Sequence, residues 1–369
     1  VTGGAELFRA FDDPKLASSL AGRLARLEIP RPLTLMHVCG THEHAIARAG
    51  IRSLLPPGVR LIAGPGCPVC VCPAVDIDLA IQAALRDDMT VTTFGDMFRV
   101  PSGETSLEQL RAQERDVRVV YSPLDAVRIA REEPGAQVVF VAVGFETTAG
   151  PIAAALLGDV PDNFTVIPSL RLIPPALAFL LEGAGTQVDG FVLPGHVSTV
   201  LGRAGYDVLE RDGGVPAVIA GFEAVDILQA VFELIEEALS GPPHAVRNLY
   251  RRVVSENGNV RARETIARAF EPVDSIWRGI GVIPRSGLAL RPALRKLDAV
   301  LRFGLERRDG IADARPGCIC HEVILGLSEP EACPLFGGAC TPRRPYGPCM
   351  VSSEGTCRAR YQYRGTPRG

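Results

Sequence analysis

Cysteine is the residue whose placement in this chain points to chemistry. The ten cysteines fall into two groups, Cys39, Cys67, Cys70 and Cys72 near the start and Cys318, Cys320, Cys333, Cys340, Cys349 and Cys357 near the end, with none from Pro73 to Gly317. Structural thiols would scatter through every core segment, so the clustering argues for two chemical sites. In the first group, Cys39-Gly40-Thr41-His42-Glu43-His44 puts a thiol where a strand ends and a helix begins. A helix N-terminus is expected to lower the pKa of such a thiol, and His42 and His44 stand nearby as proton carriers or ligands. In Gly64-Pro65-Gly66-Cys67-Pro68-Val69-Cys70-Val71-Cys72-Pro73, two thiols at Cys-x-x-Cys spacing can bridge each other or chelate one metal. Pro73 is awkward for a thioredoxin-type helix, and neither a second Cys-x-x-Cys nor a radical-SAM spacing is present. A redox dithiol, or an iron site shared with Cys39, survives.

The second group has no zinc-knuckle spacing. Six thiols on irregular loops suit an iron–sulfur cluster, whose corner irons take ligands from widely separated positions. Four would be ligands and two would be spare. Cys318 and Cys320 are too close in sequence to serve different corners easily, so one of them is a candidate spare. A structural two-zinc module, with His321 as a further ligand or as a plain loop histidine, is the alternative.

These residues must be positioned by an α/β framework. Apolar runs at Leu33–Val38, Val59–Ala63, Met89–Phe94, Val138–Val143, Gly190–Leu193 and Val215–Ala220 each end in a glycine-containing loop and lead into a helical pattern. That repetition predicts parallel-sheet α/β structure, with ligands at the C-terminal ends of the strands. The first three runs resemble the last three in the order of their loop types. This suggests an internal duplication matching Cys39 to Gly144 and Cys67 to His196, although any α/β chain produces similar strings. Helices are expected over Asp226–Leu239, His244–Arg252 and Arg261–Ala269, and the segment after Pro316 needs a metal or staple to order it.

The length of 369 residues implies two or three domains, and a net charge of −3 with dispersed basic residues gives no reason to expect nucleic acid. The basic, tyrosine-bearing stretch Arg358–Arg368 reads as a solvated tail. No secretory signal is visible in the first twenty residues, and the apolar run at Leu177–Leu181 is too short to span a bilayer. The expectation is a cytoplasmic chain without membrane partners, in which clustered thiols serve metal or redox chemistry. Nucleotide-binding glycine loops are absent.

Taken together, Cys39–His44, Gly64–Cys70, Gly144-Phe145-Glu146-Thr147-Thr148, Pro194-Gly195-His196-Val197, Trp277–Pro284 and the six-cysteine tail resemble the HypD family of NiFe-hydrogenase maturation factors. The resemblance implies two related parallel-sheet α/β domains facing a cleft, expected over 1–130 and 131–235. It also implies a small irregular C-terminal domain with helices, over 236–369, carrying a 4Fe-4S cluster. The implied activity is that of an assembly scaffold with redox activity, rather than a conventional turnover enzyme, for the Fe(CN)2CO unit of the hydrogenase. A stable complex with HypC would hold iron between a HypC cysteine and Cys39, and HypE would deliver cyanide transiently. Cys67 and Cys70 would be a redox pair. Likeness to ferredoxin:thioredoxin reductase implies Cys318, Cys333, Cys340 and Cys357 as cluster ligands, with Cys320 and Cys349 as a companion disulfide. On this reading His42, His44 and Glu146 orient ligands or move protons, while Thr147 or His196 hydrogen-bonds cyanide nitrogen. Two features depart from the family: Cys72 stands where threonine is common, and Gly150 interrupts the run after Glu146. Two rival readings are a free-standing cluster-linked thiol–disulfide reductase and a zinc-stapled structural subunit.

Overall fold

The computed structural model describes residues 13–183 and 187–364; the first twelve residues and the end of the Arg358–Arg368 stretch lie outside the described residues. Among the described residues, eleven strands form two sheets: β1 (Leu33–His37), β2 (Val59–Ala63), β3 (Met89–Thr93), β4 (Val117–Val119), β5 (Gln137–Gly144), β6 (Phe164–Arg171), β7 (Gly190–Pro194), β8 (Ala217–Ala220), β9 (Val246–Asn248), β10 (Phe270–Trp277) and β11 (Gly281–Leu290). One sheet has the order β2-β1-β7-β8-β9 and the other β10-β11-β6-β5-β3-β4. The first is parallel throughout, with Leu35 opposite Leu61 and Phe191 opposite Ala217. The second is parallel from β6 to β4, but β11 runs antiparallel to both β6 and β10. Val138 to Val143 are all buried, as expected of a central parallel strand covered by helices on both faces.

The sheets do not follow the chain in order. The chain lays down β1 and β2, crosses to build β3 to β6, returns for β7 to β9, and ends in the second sheet with the β10–β11 hairpin. The boundary expected at 130/131 therefore falls between strands of one sheet, because β3 pairs with β4 on one side and β5 on the other, Val91 facing both Val117 and Val139. Likewise Cys67 and His196, expected at matching positions of two halves, follow strands of the same sheet. An apolar run identifies a strand, but which edge it joins is decided by packing that the run does not encode.

The long helix Ala224–Ser240 forms where expected, opened by a reciprocal cap between Glu223 and Asp226 and stopped by Gly241 at φ 80°. Helix Val260–Ala269 starts at the Asn259 cap. The expected helix over His244–Arg252 is instead the short strand β9 and a turn. Val246 pairs with Ala217 at the open edge of β8, and the Asn248 side chain accepts from Tyr250 N–H and donates to the Val254 carbonyl. Edge pairing and side-chain turn bonds outweigh a weak helical pattern there. Among the described residues, no helix is long and apolar enough to cross a membrane.

Two buried joints hold the site-bearing loops to the second sheet. Trp277 is fully buried, donates to Ser286 Oγ at 2.8 Å and stacks on Phe145, while Arg278 N–H bonds the Val71 carbonyl at 2.8 Å. The Trp277–Pro284 motif thus anchors the Cys67–Cys72 loop from behind. Asp76, on helix Ala74–Ala84, accepts from Ser169 Oγ at 2.7 Å and Arg171 at 2.9 Å, and pairs with Arg307. Burial works against its charge, but the two guanidiniums outweigh burial and hold its pKa below the usual value. Asp76→Ala strands a buried Arg171, and it should lower unfolding stability by about 3–5 kcal/mol, measured as the shift of the urea midpoint.

Candidate functional site

Cys39 closes β1 and caps the helix Gly40–Arg48 with extended backbone. The loop carrying Cys67 lies directly against it: Gly40 N–H bonds the Gly66 carbonyl at 3.0 Å. A Cβ on Gly66 would sit 2.0 Å from the Cys39 nitrogen, so only glycine permits this approach. The Cys39 thiol is buried, and burial, reinforced by Glu354, pushes its pKa up to about 11 despite the N–H groups of Thr41 and His42. The helix terminus therefore does not lower it as expected, because desolvation exceeds what two backbone amides return. Cys39 is therefore held as a neutral thiol rather than a standing thiolate.

A charged network lies behind this turn. Glu43, fully buried, accepts from His37 Nε2 at 2.7 Å and from Arg52 at 2.6 and 3.0 Å, and His37 Nδ1 faces the Cys39 carbonyl at 3.1 Å. Burial alone would raise the Glu43 pKa, yet Arg52 and His37 hold it down at about 2. His37 escaped the sequence reading because it sits inside an apolar strand run and resembles a core residue.

The histidines separate. His42 Nε2 donates to the Gly221 carbonyl at 2.9 Å, which leaves Nδ1 as a buried acceptor without a partner, and burial pushes its pKa down to about 3. Its ring lies 4.9 Å from Phe222, which stacks on His196 at 4.2 Å. His44 does not join them; its ring meets Tyr363 edge-on, with Nε2 3.1 Å from the phenol. Glu146 opens helix Glu146–Leu156, which runs without a break through Gly150 and Pro151. Its Oε1 accepts from Ile173 N–H at 2.9 Å, Oε2 has no partner, and burial pushes its pKa up to about 7. Thr147 follows, half-buried. Tyr206, fully buried and hydrogen-bonded to Ser198 at 2.9 Å, belongs to the same core cluster as Val38 and Phe145, the residues preceding Cys39 and Glu146. No sequence motif flagged Tyr206 or Phe222. Phe222 was legible only as part of the loop after β8.

All ten cysteines are free thiols. Cys67 caps the short helix Pro68–Val71, accepts from Cys70 N–H at 3.2 Å and donates to Ser352 Oγ at 3.4 Å. The Cys70 side chain lies beside those of Cys67 and Cys349, Cys349 beside Cys320 and Cys357, and Cys320 beside Cys318. Cys320 and Cys349, the pair expected as a disulfide, lie next to each other. Cys72 points away, 3.4 Å from Ser169 Oγ beside Asp76, and takes no part in this chain of thiols.

The six C-terminal cysteines line one pocket with Val323, Leu335, Phe336 and Met350, and His321 is not among its walls. Among the described residues, no three His, Cys, Asp or Glu are arranged to hold a single metal ion. A four-iron cluster asks for something different, one thiolate per corner around an apolar space, and this donor set fits it. Cys340 Sγ already accepts from Tyr346 N–H at 3.3 Å, the type of bond that tunes cluster sulfur.

Glu146 provides a test of the site's electrostatics. A carboxyl raised from 4.5 to about 7 costs nothing below pH 4.5, and destabilises the fold increasingly as pH rises to 7. Glu146→Gln should abolish a pH-dependent loss on the order of 3 kcal/mol, read from melts at pH 5 and pH 8.

Comparison with known proteins extends this geometry to the whole chain. The HypD profile, described as the hydrogenase formation hypA family, matches residues 15–364. The chain is 44% identical over 365 residues to hydrogenase maturation factor HypD2 of Bradyrhizobium diazoefficiens, covering 96% of this chain and 95% of that protein. It is 42% identical over 368 residues to HypD of Rhodobacter capsulatus, covering 96% and 97%. It is also 44% identical over 337 residues to a putative hydrogenase expression/formation protein of Methanocaldococcus jannaschii, covering 90% and 92%. With the family's profile matched across both sheets and the cysteine-rich tail, the chain belongs to the HypD family of hydrogenase maturation factors.

Proposed function

We propose that the chain is a redox-active scaffold on which the iron of the NiFe-hydrogenase site acquires its cyanide and CO ligands. The carrying observation is the run of neighbouring thiols from Cys67 and Cys70 through Cys349 to Cys320, starting at the loop packed on Cys39. Cys39 binds the incoming iron as cargo, shared with a cysteine of HypC, and releases its proton as the metal approaches, since soft thiolate suits an iron carrying diatomic ligands. Glu146, ionising near neutrality and with one oxygen unpartnered, accepts that proton or passes one on. His42 Nδ1 offers a buried acceptor, and the His196–Phe222 stack shapes one wall against the ligands. HypE supplies cyanide in a transient encounter.

Cys67 and Cys70 form a disulfide when they give up two electrons and two protons, and Cys349 lies within reach to exchange with Cys70. Cys318, Cys333, Cys340 and Cys357 would hold the 4Fe-4S cluster, which would supply electrons one at a time; two of them, with two protons, convert a Cys320–Cys349 disulfide to the two thiols. The same thiol line favours a second reading, a cluster-linked thiol–disulfide reductase; that reading requires repeated turnover on a disulfide substrate without any partner protein.

Cys39→Ala should abolish the cyanide and CO infrared bands of the complex purified with HypC while leaving the visible cluster absorbance intact; retained bands overturn the assignment. Cys349→Ser should isolate the Cys67–Cys70 pair. After oxidation and treatment with dithionite, alkylation and mass measurement should find that pair still oxidised in the variant and reduced in the parent chain.

A further inference from the structure

His37 is the last residue of β1, fully buried and two residues before Cys39. Its Nδ1 lies 3.1 Å from the Cys39 carbonyl and its Nε2 2.7 Å from Glu43 Oε2. A carbonyl oxygen can only accept, and so can a carboxylate that Arg52 already grips through both oxygens, at 3.0 and 2.6 Å. Both ring nitrogens therefore donate. Arg52 is fixed in turn by its Nε, which donates to the Leu61 carbonyl of β2 at 2.8 Å. The Cys39 carbonyl also accepts from Glu43 N–H at 3.1 Å. Glu43 thus holds this one oxygen twice, through its own amide and through the His37 ring.

Stability alone does not account for the arrangement. Buried charged networks are often matched or bettered by apolar side chains of the same volume, and Leu33, Leu35 and Met36 of the same strand are buried and apolar. What an aliphatic side chain at position 37 cannot do is bond the Cys39 carbonyl. That carbonyl opens the helix Gly40–Arg48, and the same turn sets the Cys39 thiol beside the N–H groups of Thr41 and His42. Cys39 has extended backbone, at φ −154° and ψ 127°, where strand gives way to helix. Rotation at this point would carry the thiol away from those groups.

We propose that His37 is a positioning residue for Cys39: its Nδ1–H holds the Cys39 carbonyl, while Glu43 and Arg52 hold the ring. The proposal rests on the scaffold reading, in which this thiol and a cysteine of the partner protein must meet iron at one fixed geometry.

The test uses two amide side chains that each keep one of the two bonds. The Asn side-chain nitrogen falls near the place of Nδ1, and the Gln nitrogen near that of Nε2. In the anaerobically purified full chain, alkylation of Cys39 by iodoacetamide is followed peptide by peptide, with buried Cys72 as the internal reference. His37→Gln, which loses the carbonyl bond, should speed alkylation of Cys39 about fivefold, the effect of one hydrogen bond on local opening. His37→Asn, which keeps that bond, should match the parent rate. In the complex purified with HypC, His37→Gln should also weaken the cyanide and CO infrared bands, and His37→Asn should retain them. An unchanged Cys39 rate in His37→Gln overturns the proposal, as does a faster rate in His37→Asn, which would mean that the ring serves Glu43 alone. Faster alkylation of Cys72 marks a variant that has lost its fold, and the other variant then decides by its own expected rate. Alkylation needs no iron, so bands missing from the parent complex would count against the scaffold reading and leave this result standing.

Discussion

One contact governs the geometry of the site: the approach of the Gly66 backbone to the Cys39 turn, sealed by the hydrogen bond from Gly40 N–H to the Gly66 carbonyl. A side chain at Gly66 would overlap the backbone of Val38 and Cys39. A side chain at Gly40 would overlap Glu354 of the C-terminal segment. These two glycines let three stretches of chain, distant in sequence, meet around one thiol. The Cys67–Cys70 loop lies against the C-terminal segment, with Cys67 Sγ 3.4 Å from Ser352 Oγ and Cys70 beside Cys349.

The electrostatics of the interior follow from that crowding. Where charge is buried, it is paired: Glu43 with Arg52 and His37, Asp76 with Arg171 and Arg307. Where a titratable group is buried without an oppositely charged partner, its neutral form is favoured, as for Cys39, His42 and Glu146. The first set holds the framework together. The second is free to exchange protons when the local charge changes. Arg278 belongs to neither set, being buried, charged and incompletely bonded.

Much of this was legible in the chain. The six apolar runs became β1, β2, β3, β5, β7 and β8, since short apolar stretches closed by glycine loops have few other solutions in an α/β protein. The thiol groups, the Glu146 loop and the His196 loop were legible as motifs. What could not be read was direction and pairing. Cys72 is two residues from Cys70 yet faces Ser169 and Asp76, because the chain turns at Pro73 into the helix Ala74–Ala84. His44, two residues from His42, meets Tyr363 because a helix turns neighbouring side chains about 100° apart.

The sequence by itself determined the inventory: which residues are soft ligands, which strands exist, where glycine allows backbones to touch, and to which family the whole pattern belongs. Each of these is set by local chemistry or short-range sterics, which travel with the residue types. Only the tertiary structure decided that β3 to β6 share a sheet, that the Cys39 thiol is raised rather than lowered, and that Cys70 meets Cys349. Those outcomes depend on what is excluded from water and on which distant segment fills the space, and neither quantity exists until the chain has folded.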